Sequence, residues 1–232
     1  MITHSIDKSQ HKAAKVVGAV YLLAILPAIF AEFYVSNKLI VYDNVIQTAQ
    51  NIIAHQQLFR LGVASNMCVF ILDAVLITAL YIVLKPINRN LALLAVFWRL
   101  IETSILVDTL LNDLDVLRIL SDAEYLKAFG ADQLQALMRL SIGAHGAGYN
   151  VGLLFAGLGS TLFCYLWFKS NFIPKFLAGW GIFSSLLLFL STYTFIILPS
   201  LSKTLTVAYY GTPIFLFEVT IGFWLIIKGI KE

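Results

Sequence analysis

The chain has 232 residues, of which 59% are hydrophobic and only 12% are charged, and its mean hydropathy is +0.85. Soluble domains carry about twice that share of charged residues. The net charge of +3 is too small for a nucleic-acid-binding surface. Composition therefore excludes a soluble domain and a nucleic-acid partner, and indicates a polytopic protein whose main partner is the lipid bilayer.

Six apolar runs are near or above the ~20 residues that a helix needs to cross the hydrocarbon core. They lie at about residues 14–35, 60–84, 91–116, 141–168, 176–198 and 207–227. Backbone groups in lipid must be satisfied within the segment, so each run is predicted to be a helix. The first run is too long for a signal peptide and no clear cleavage site follows it. We expect one all-α domain over residues 1–232, a bundle of six transmembrane helices.

Lysine and arginine predict the orientation of these spans, because cytoplasmic loops of membrane proteins are enriched in both. Four short regions that alternate along the chain share this enrichment: Lys8, Lys12 and Lys15; Lys85 and Arg89; Lys169 and Lys175; Lys228 and Lys231. With six spans, all four regions lie on one side of the membrane. We therefore expect both termini to be cytoplasmic.

The two long connections on the other side are predicted to contain short external helices. Asp43 is placed to cap a helix that begins at Asn44. Ser121 and Glu124 have the three-residue spacing of a capping box before a second short helix. Asp132 is predicted to start the helix that continues as the fourth span.

Four ionisable residues lie in the middle of predicted spans, where each costs at least ~2.5–3.5 kcal/mol. They are Asp73, Arg99, Glu102 and Glu218. A helical rise of about 1.5 Å per residue puts the three acids at a similar depth. Arg99 and Glu102 are three residues apart and can pair on one helix face, which leaves Asp73 and Glu218 without an obvious cation. Two interpretations stay open, a structural tie between helices and a pocket for a proton, a cation or an amine.

Small residues and prolines predict where helices approach closely or open their backbones. The fourth span carries Gly148, Gly152, Ala156 and Ser160 at four-residue spacing, which lets a neighbouring helix come close. His145 lies at the edge of this stripe and is expected to face protein. Pro213 precedes Glu218 by five residues, and Pro27 interrupts the first span, so both prolines are expected to free backbone carbonyls.

A second polar layer is expected near the external face. Its members include Glu32, His55, Arg60, Asp108, Asn112, Asp113, Asp115, His145, Tyr149 and Asn150. Helical spacing puts Asp113 and Thr109 on the face of Arg99 and Glu102, with the other third-span acids opposite. His55 and His145 could ligate a metal or haem in principle, but no H-E-x-x-H spacing or cysteine ligand supports this. We predict no metal and no cofactor.

The two cysteines, Cys68 and Cys164, both fall inside apolar runs. No C-x-x-C motif is present, and a disulfide between them is not expected. We predict that both are buried free thiols.

Several segments together resemble one family of bacterial membrane proteins, domain of unknown function 4386. They are Thr48 to His55 with Leu58-Phe59-Arg60, Leu80-Tyr81, Pro86 to Leu93, Phe97 to Glu102, Gly157-Leu158-Gly159, Lys169 to Lys175, and Glu218 with Trp224 to Gly229. The one departure is Trp98, where the pattern has Phe. The resemblance covers nearly the whole chain and implies a multi-span protein of the bacterial inner membrane. It also implies motif positions at His55, Arg60, Arg99, Glu102, His145 and Glu218, and it implies no particular activity.

These observations predict a protein that binds or translocates a small ligand, proton or cation. The predicted ligand-binding residues are Asp73, Arg99, Glu102, Glu218, His145, Tyr149, His55 and Arg60. One alternative is an intramembrane enzyme that works at the external leaflet with His55, His145 and a carboxylate. Another is a structural or partner-binding membrane protein in which the charges only fix helix register.

Overall fold

The computed structural model describes residues 7–41, 44–121, 123–203, 205 and 207–231, and within these ranges it is helical without strands. Six helices are long and apolar enough to cross a membrane. The elements are α1 (Lys8–Ala28), which continues through a π-helical segment (Ile29–Val35) into α2 (Ser36–Leu39); α3 (Val45–Ala54); α4 (Gln56–Leu84); α5 (Arg89–Ile119); α6 (Ala131–Ser170); α7 (Lys175–Ile197); and α8 (Val207–Ile227). Short 3₁₀ turns cover Glu124–Ala128 and Pro199–Lys203.

The first candidate span is one continuous helical rod of 32 residues from Lys8 to Leu39. Pro27 lies inside it, two residues before the π-helical segment Ile29–Val35 begins. Proline has no N–H to donate to the preceding turn, so the ordinary hydrogen-bond ladder is interrupted there. The wider turn that follows carries Glu32.

The short helix before the second span is capped by a residue other than the predicted one. Asn44 is the N-cap of α3, and its side-chain oxygen accepts a hydrogen bond of 2.9 Å from the Gln47 amide. Asp43 lies outside the described residues. The helix ends at Ala54, and His55 separates it from α4.

The predicted capping box at Ser121 and Glu124 does not form. The Ser121 hydroxyl donates to the Arg118 carbonyl oxygen at 2.7 Å, and the Glu124 carboxylate pairs with Lys127 at 2.7 Å. Each partner is therefore engaged within its own turn, and the segment Glu124–Ala128 is a 3₁₀ turn without a side-chain cap. Asp132 lies in the first turn of α6, where a carboxylate suits the helix dipole.

Large apolar side chains are exposed on every long helix, as contact with lipid requires. Examples, one from each candidate span, are Leu26, Ile71, Phe97, Leu140, Phe183 and Ile227.

Cys68 lies on an exposed face of α4, so the prediction that this thiol is buried is wrong. An apolar run predicts a span but does not say which face of the helix packs inward. Cys164 is buried, and both thiols are free.

The chain divides into two compact units. Unit 1 comprises Met1–Leu23, Leu72–Ser104 and Asn150–Glu232, and unit 2 comprises Ala24–Ile71 and Ile105–Tyr149. Four of the long helices contribute residues to both units, and the single domain over residues 1–232 stays a prediction.

Unit 1 is held by an apolar core in which helices come into backbone contact. Its centre includes Leu80, Leu84, Leu166, Trp167 and Leu225, all fully or almost fully buried. A Cβ atom built on Gly18 would lie 2.7 Å from the carbonyl oxygen of Gly222, so α1 and α8 cross where neither has a side chain. This is the small-residue packing that membrane helices use.

Unit 2 has its own core, formed by Leu39, Ile52, Phe59, Val116 and Met138. Within this unit the predicted small-residue stripe begins as expected. A Cβ atom on Gly148 would lie 2.9 Å from the Thr109 methyl carbon, which shows close packing of α6 on α5 there.

Candidate functional site

Arg99 of α5 forms two ion pairs in unit 1. Its Nη2 pairs with Oδ1 of Asp73 on α4, and its Nη1 lies 2.9 Å from Oε2 of Glu102 one turn along α5. The three side chains are between 6% and 12% exposed. A guanidinium has five N–H donors in a planar fork, so it can serve two carboxylates at once.

The pairing of Asp73 corrects one expectation. Helical spacing alone predicted the Arg99–Glu102 pair and left Asp73 without a cation. The packing of α4 against α5 brings Asp73 to the other side of the same guanidinium. The prediction that Asp73 lacks a cation is therefore wrong. Residue spacing within one helix predicts contacts along that helix but not contacts between two helices.

Three residues that sequence reasoning did not assign to this cluster support it. The Thr103 hydroxyl lies 2.7 Å from Oδ2 of Asp73, and Nη1 of Arg99 donates to the Ser160 hydroxyl at 3.5 Å. A Cβ atom on Gly159 would lie 2.7 Å from Cγ of Arg99, so the arginine stem runs against bare backbone. Thr103 is four residues after Arg99 on one helix face, and that spacing could have revealed it.

Glu218 of α8 belongs to the same unit but is not part of these ion pairs. Its side chain is half-buried, and within the described part of the chain it makes no hydrogen bond or ion pair. The charges of Arg99 and Asp73 nevertheless act on it. Three carboxylates therefore interact electrostatically with one guanidinium, and the four groups carry a formal charge of −2 when all are ionised. We refer to Asp73, Arg99, Glu102 and Glu218 as the ion cluster.

Two other groups of unit 1 bear on Glu218. Tyr21 of α1 lies within electrostatic reach of the Glu218 carboxylate. The indole N–H of Trp180 donates to the carbonyl oxygen of Pro213 at 3.0 Å. The carbonyl oxygen of the proline itself therefore accepts a hydrogen bond from a side chain of α7.

Unit 2 contains a partly open cavity of about 50 Å³ that is lined by four helical segments. Its polar lining consists of Glu32, Ser36, Asn66, Asp113 and His145. The rest of the wall is apolar and includes the ring of Phe59.

The polar groups of the cavity form two hydrogen-bonded or ion-paired sets. Oε1 of Glu32 accepts a hydrogen bond of 2.9 Å from the Asn66 amide. Nδ1 of His145 lies 3.0 Å from Oδ1 of Asp113, and His145 also bonds the backbone of Thr109. The imidazole thus has a carboxylate partner and a backbone partner, and these fix the orientation of its ring.

The other predicted residues of the second polar layer separate into near and distant groups. Tyr149 stacks on His145 with ring centroids 6.3 Å apart and planes 7° from parallel. His55 is exposed, with Nδ1 3.1 Å from the Asn51 carbonyl oxygen, and Arg60 is also exposed. Neither His55 nor Arg60 lines the cavity. The structure therefore brings His145 and Tyr149 together and leaves the other two apart.

Helix α5 has the two polar faces that its spacing predicts. Thr109 is buried and Asp113 is half-buried, whereas Asp108 is exposed and Asp115 pairs with Arg118 at 2.9 Å in solvent-accessible surroundings. Asn66 was missed as a cavity residue. It is a polar side chain inside an apolar run, and the rule that revealed Asp73 could also have revealed it.

A metal centre is not formed by these groups. Across residues 7–41, 44–121, 123–203, 205 and 207–231, no group of three or more His, Cys, Asp or Glu side chains is arranged to hold a metal ion. The proposed pairing of His55 with His145 in an enzyme site has no geometric support, since His55 does not line the cavity.

Comparison with known proteins places the chain in a family. The profile of the family described as Domain of unknown function (DUF4386) matches residues 16–229. The chain belongs to this family. An uncharacterized protein of Archaeoglobus fulgidus is similar to this DUF4386 chain, with 26% identity over 163 residues that cover 70% of the chain and 80% of the relative. No solved structure matches it.

The family match and the six apolar helices together make the DUF4386 chain a multi-pass membrane protein. The relative is archaeal, so the comparison does not confine similar proteins to bacteria.

Proposed function

We propose that this protein binds or translocates a proton or small cation, and that Glu218 in unit 1 is the group that receives it. The observation that carries the proposal is that the carboxylates of the ion cluster differ in their pairing. Arg99 is shared by Asp73 and Glu102, and no described side chain makes an ion pair with Glu218.

The energetic reason is the cost of isolated charge away from water. A buried carboxylate without a counter-charge is strongly disfavoured, and it must take up a proton, bind a cation or find a partner. The guanidinium of Arg99 already has two carboxylates within ion-pair distance. Uptake of a proton or a monovalent cation at Glu218 would lower the net negative charge of the ion cluster from −2 to −1.

The position of Glu218 also favours exchange over a permanent structural role. It lies five residues after Pro213, in a helix whose hydrogen-bond ladder is interrupted. Ionisable residues inside transmembrane segments commonly mark ion pathways and proton relays. Asp73 and Glu102 would hold Arg99 in place, and Arg99 would set the charge state of Glu218.

The test is proton flux in sealed proteoliposomes that contain a pH-sensitive dye and are driven by a potassium diffusion potential. Wild type is expected to dissipate the gradient faster than protein-free liposomes, and Glu218→Gln is expected to remove that excess. Glu124→Gln is the matched control, since this carboxylate has a side chain that is 87% exposed and pairs only with Lys127. Equal flux in wild type and Glu218→Gln would remove Glu218 from the mechanism.

Cation binding is tested on the same variants. Sodium, potassium and ammonium are titrated into nanodisc-embedded protein, and binding heat is measured at fixed pH. A heat that is present in wild type and Glu124→Gln but absent from Glu218→Gln supports cation uptake. If wild type shows neither flux nor binding of these ions, the proposed function is wrong.

A structural function is the second candidate, and the double pairing of Arg99 favours it. A guanidinium that ties α4 to α5 and contacts Ser160 of α6 would fix the relation of these helix segments within unit 1. Replacement of the charged set by apolar or neutral residues of similar shape is often tolerated when the charges serve packing alone. Absence of flux and of cation binding in wild type, together with normal folding of a variant that combines Arg99→Met, Asp73→Asn and Glu102→Gln, would favour this candidate.

We also propose that both termini face the cytoplasm of a bacterial inner membrane. The support is the clustering of lysine and arginine in alternate short loops. Alkaline phosphatase fused after residue 231 should be inactive in cells, whereas the same reporter inserted in the connection between α5 and α6 should be active.

A further inference from the structure

We infer that the cavity of unit 2 is a binding site for a small organic cation, a primary alkylammonium ion. This site is separate from the ion cluster, and the inference does not depend on the proposed function. It rests on the charge, the size and the walls of the cavity.

The charge of the cavity favours a cation. Glu32 and Asp113 line it from two different helical rods, and His145 is the basic side chain of the lining. With both acids ionised, the net charge is −2 when His145 is neutral and −1 when it is protonated. A positive ligand is therefore attracted in either state of the imidazole.

The polar groups are also held in place before any ligand arrives. Asn66 donates to Oε1 of Glu32, and Asp113 lies 3.0 Å from the imidazole that Thr109 also bonds. The second oxygen of each carboxylate and the hydroxyl of Ser36 are chemically able to accept hydrogen bonds from an ammonium group. A site whose acceptors are fixed by their neighbours loses little freedom on binding, and this favours affinity.

The size of the cavity suits a group of a few heavy atoms. A water needs about 10–15 Å³ measured in this way, and the cavity has about 50 Å³. Drug-sized ligands occupy sites of roughly 300–1,000 Å³. The volume of this recess therefore suits a short amine.

The walls explain why an alkyl chain is expected beside the charge. Val35, Ile40, Val63 and Ile142 form much of the lining, and the buried ring of Phe59 completes it. Aromatic faces attract cations, and apolar walls favour a short hydrocarbon tail. A bare metal ion would use neither, and the described acids and histidine are not arranged as a metal site.

The backbone beneath Glu32 is a further reason to regard the cavity as a functional site. Ala31, Glu32 and Val35 all line the cavity, and all three belong to the π-helical segment Ile29–Val35. Single π-helical turns inside α-helices occur frequently at functional sites, because they redirect side chains that a regular helix would place elsewhere. Here the segment brings a carboxylate and two small apolar residues to one wall.

The experiment titrates ethylammonium chloride into nanodisc-embedded wild-type protein by isothermal titration calorimetry. Saturable binding is expected, with weaker binding of the bulkier tetramethylammonium, no binding of neutral 1-propanol, and no sodium binding that is lost in Glu32→Gln. Glu32→Gln and Asp113→Asn should each weaken ethylammonium binding at least tenfold. Asp108→Asn is the matched control, because this acid lies on the same helix but is exposed and does not line the cavity.

Three results would overturn the inference: no saturable ethylammonium binding by wild type, equal affinity in Glu32→Gln, or preferential binding of acetate. Circular dichroism melts of each variant establish that it is folded. If Asp113→Asn alone unfolds, Glu32→Gln decides the outcome, since Gln keeps the shape of Glu and an oxygen for the Asn66 amide. Glu218→Gln should leave ethylammonium affinity unchanged, so failure of the proton or cation function in unit 1 would be distinguishable.

Discussion

Replacement of Gly159 by alanine should disturb the ion cluster without changing any charged residue. An ideal Cβ atom at this position would lie 2.7 Å from Cγ of Arg99, 3.0 Å from its Cδ and 3.2 Å from the carbonyl oxygen of Ala95. The nearest atoms belong to the middle of the arginine stem and to backbone. The added methyl group therefore cannot be accommodated by rotation of a side-chain tip alone.

The magnitude follows from two opposing contributions. Alanine favours a helix interior over glycine by about 1 kcal/mol. An extra methyl in a packed interior costs about 1–3 kcal/mol. If the collision also moves the guanidinium away from Asp73 and Glu102, two buried carboxylates lose their partner, at a cost of about 3–5 kcal/mol. The destabilisation expected beyond the helix-propensity term is therefore at least about 1–3 kcal/mol.

Gly143→Ala is the matched control for this measurement. Gly143 lies on the same helix, α6, and a Cβ atom built there meets nothing within 4 Å. Its substitution changes helix propensity alone. Reversible unfolding in mixed SDS micelles, followed by circular dichroism, gives the free energy of unfolding for both variants. The difference between them isolates the contact with Arg99.

The reasoning is refuted if Gly159→Ala and Gly143→Ala agree within about 0.5 kcal/mol, since surface-type effects alone are of that size. It is also refuted if Gly159→Ala is destabilised to the same degree in an Arg99→Ala background. In that background the stem is gone, and the substitution should cost much less.

Two more predictions concern stability. Arg99→Met should destabilise the protein by about 3–5 kcal/mol in the same unfolding assay, because it leaves Asp73 and Glu102 as buried charges without a partner. Adding both Asp73→Asn and Glu102→Gln to this variant should recover most of the lost free energy of unfolding. No recovery would contradict the pairing. Asn44→Ala should cost about 1 kcal/mol by removing the α3 cap, with faster amide hydrogen exchange confined to that helix. Asn44→Ser should behave like wild type, and a loss equal to that of alanine would show that capping is not the cause.

The ion cluster shows how far local reasoning reaches. The spacing of Arg99 and Glu102 predicts their pair, because residues three apart on a helix are neighbours. The depth count also places Asp73 and Glu218 in the same layer. The depth count does not predict that Asp73 forms an ion pair with Nη2 of Arg99 while Glu218 forms no ion pair with a described side chain. That difference depends on how α4 and α8 are rotated about their axes.

The cavity of unit 2 also shows which contacts the sequence alone does not predict. Glu32, Asp113 and His145 could be assigned to one polar layer by counting along their spans. Asn66 and the apolar wall could not be, because a cavity is the space that several helices leave between them. Cys68 is a smaller example, since its apolar run predicts a span but not the exposed face on which the thiol lies.

The amino-acid sequence by itself determined the helical class, the six spans and the family, because length, hydropathy and motif order along the chain are sufficient for each. Tertiary structure alone decided which carboxylates are paired, which polar groups enclose a cavity and which capping residues are used. The physical reason is that apolar runs define rods in lipid through backbone hydrogen bonding, which is local. Partners across rods depend on rotation and close approach, which small residues such as Gly18 and Gly159 permit but do not specify.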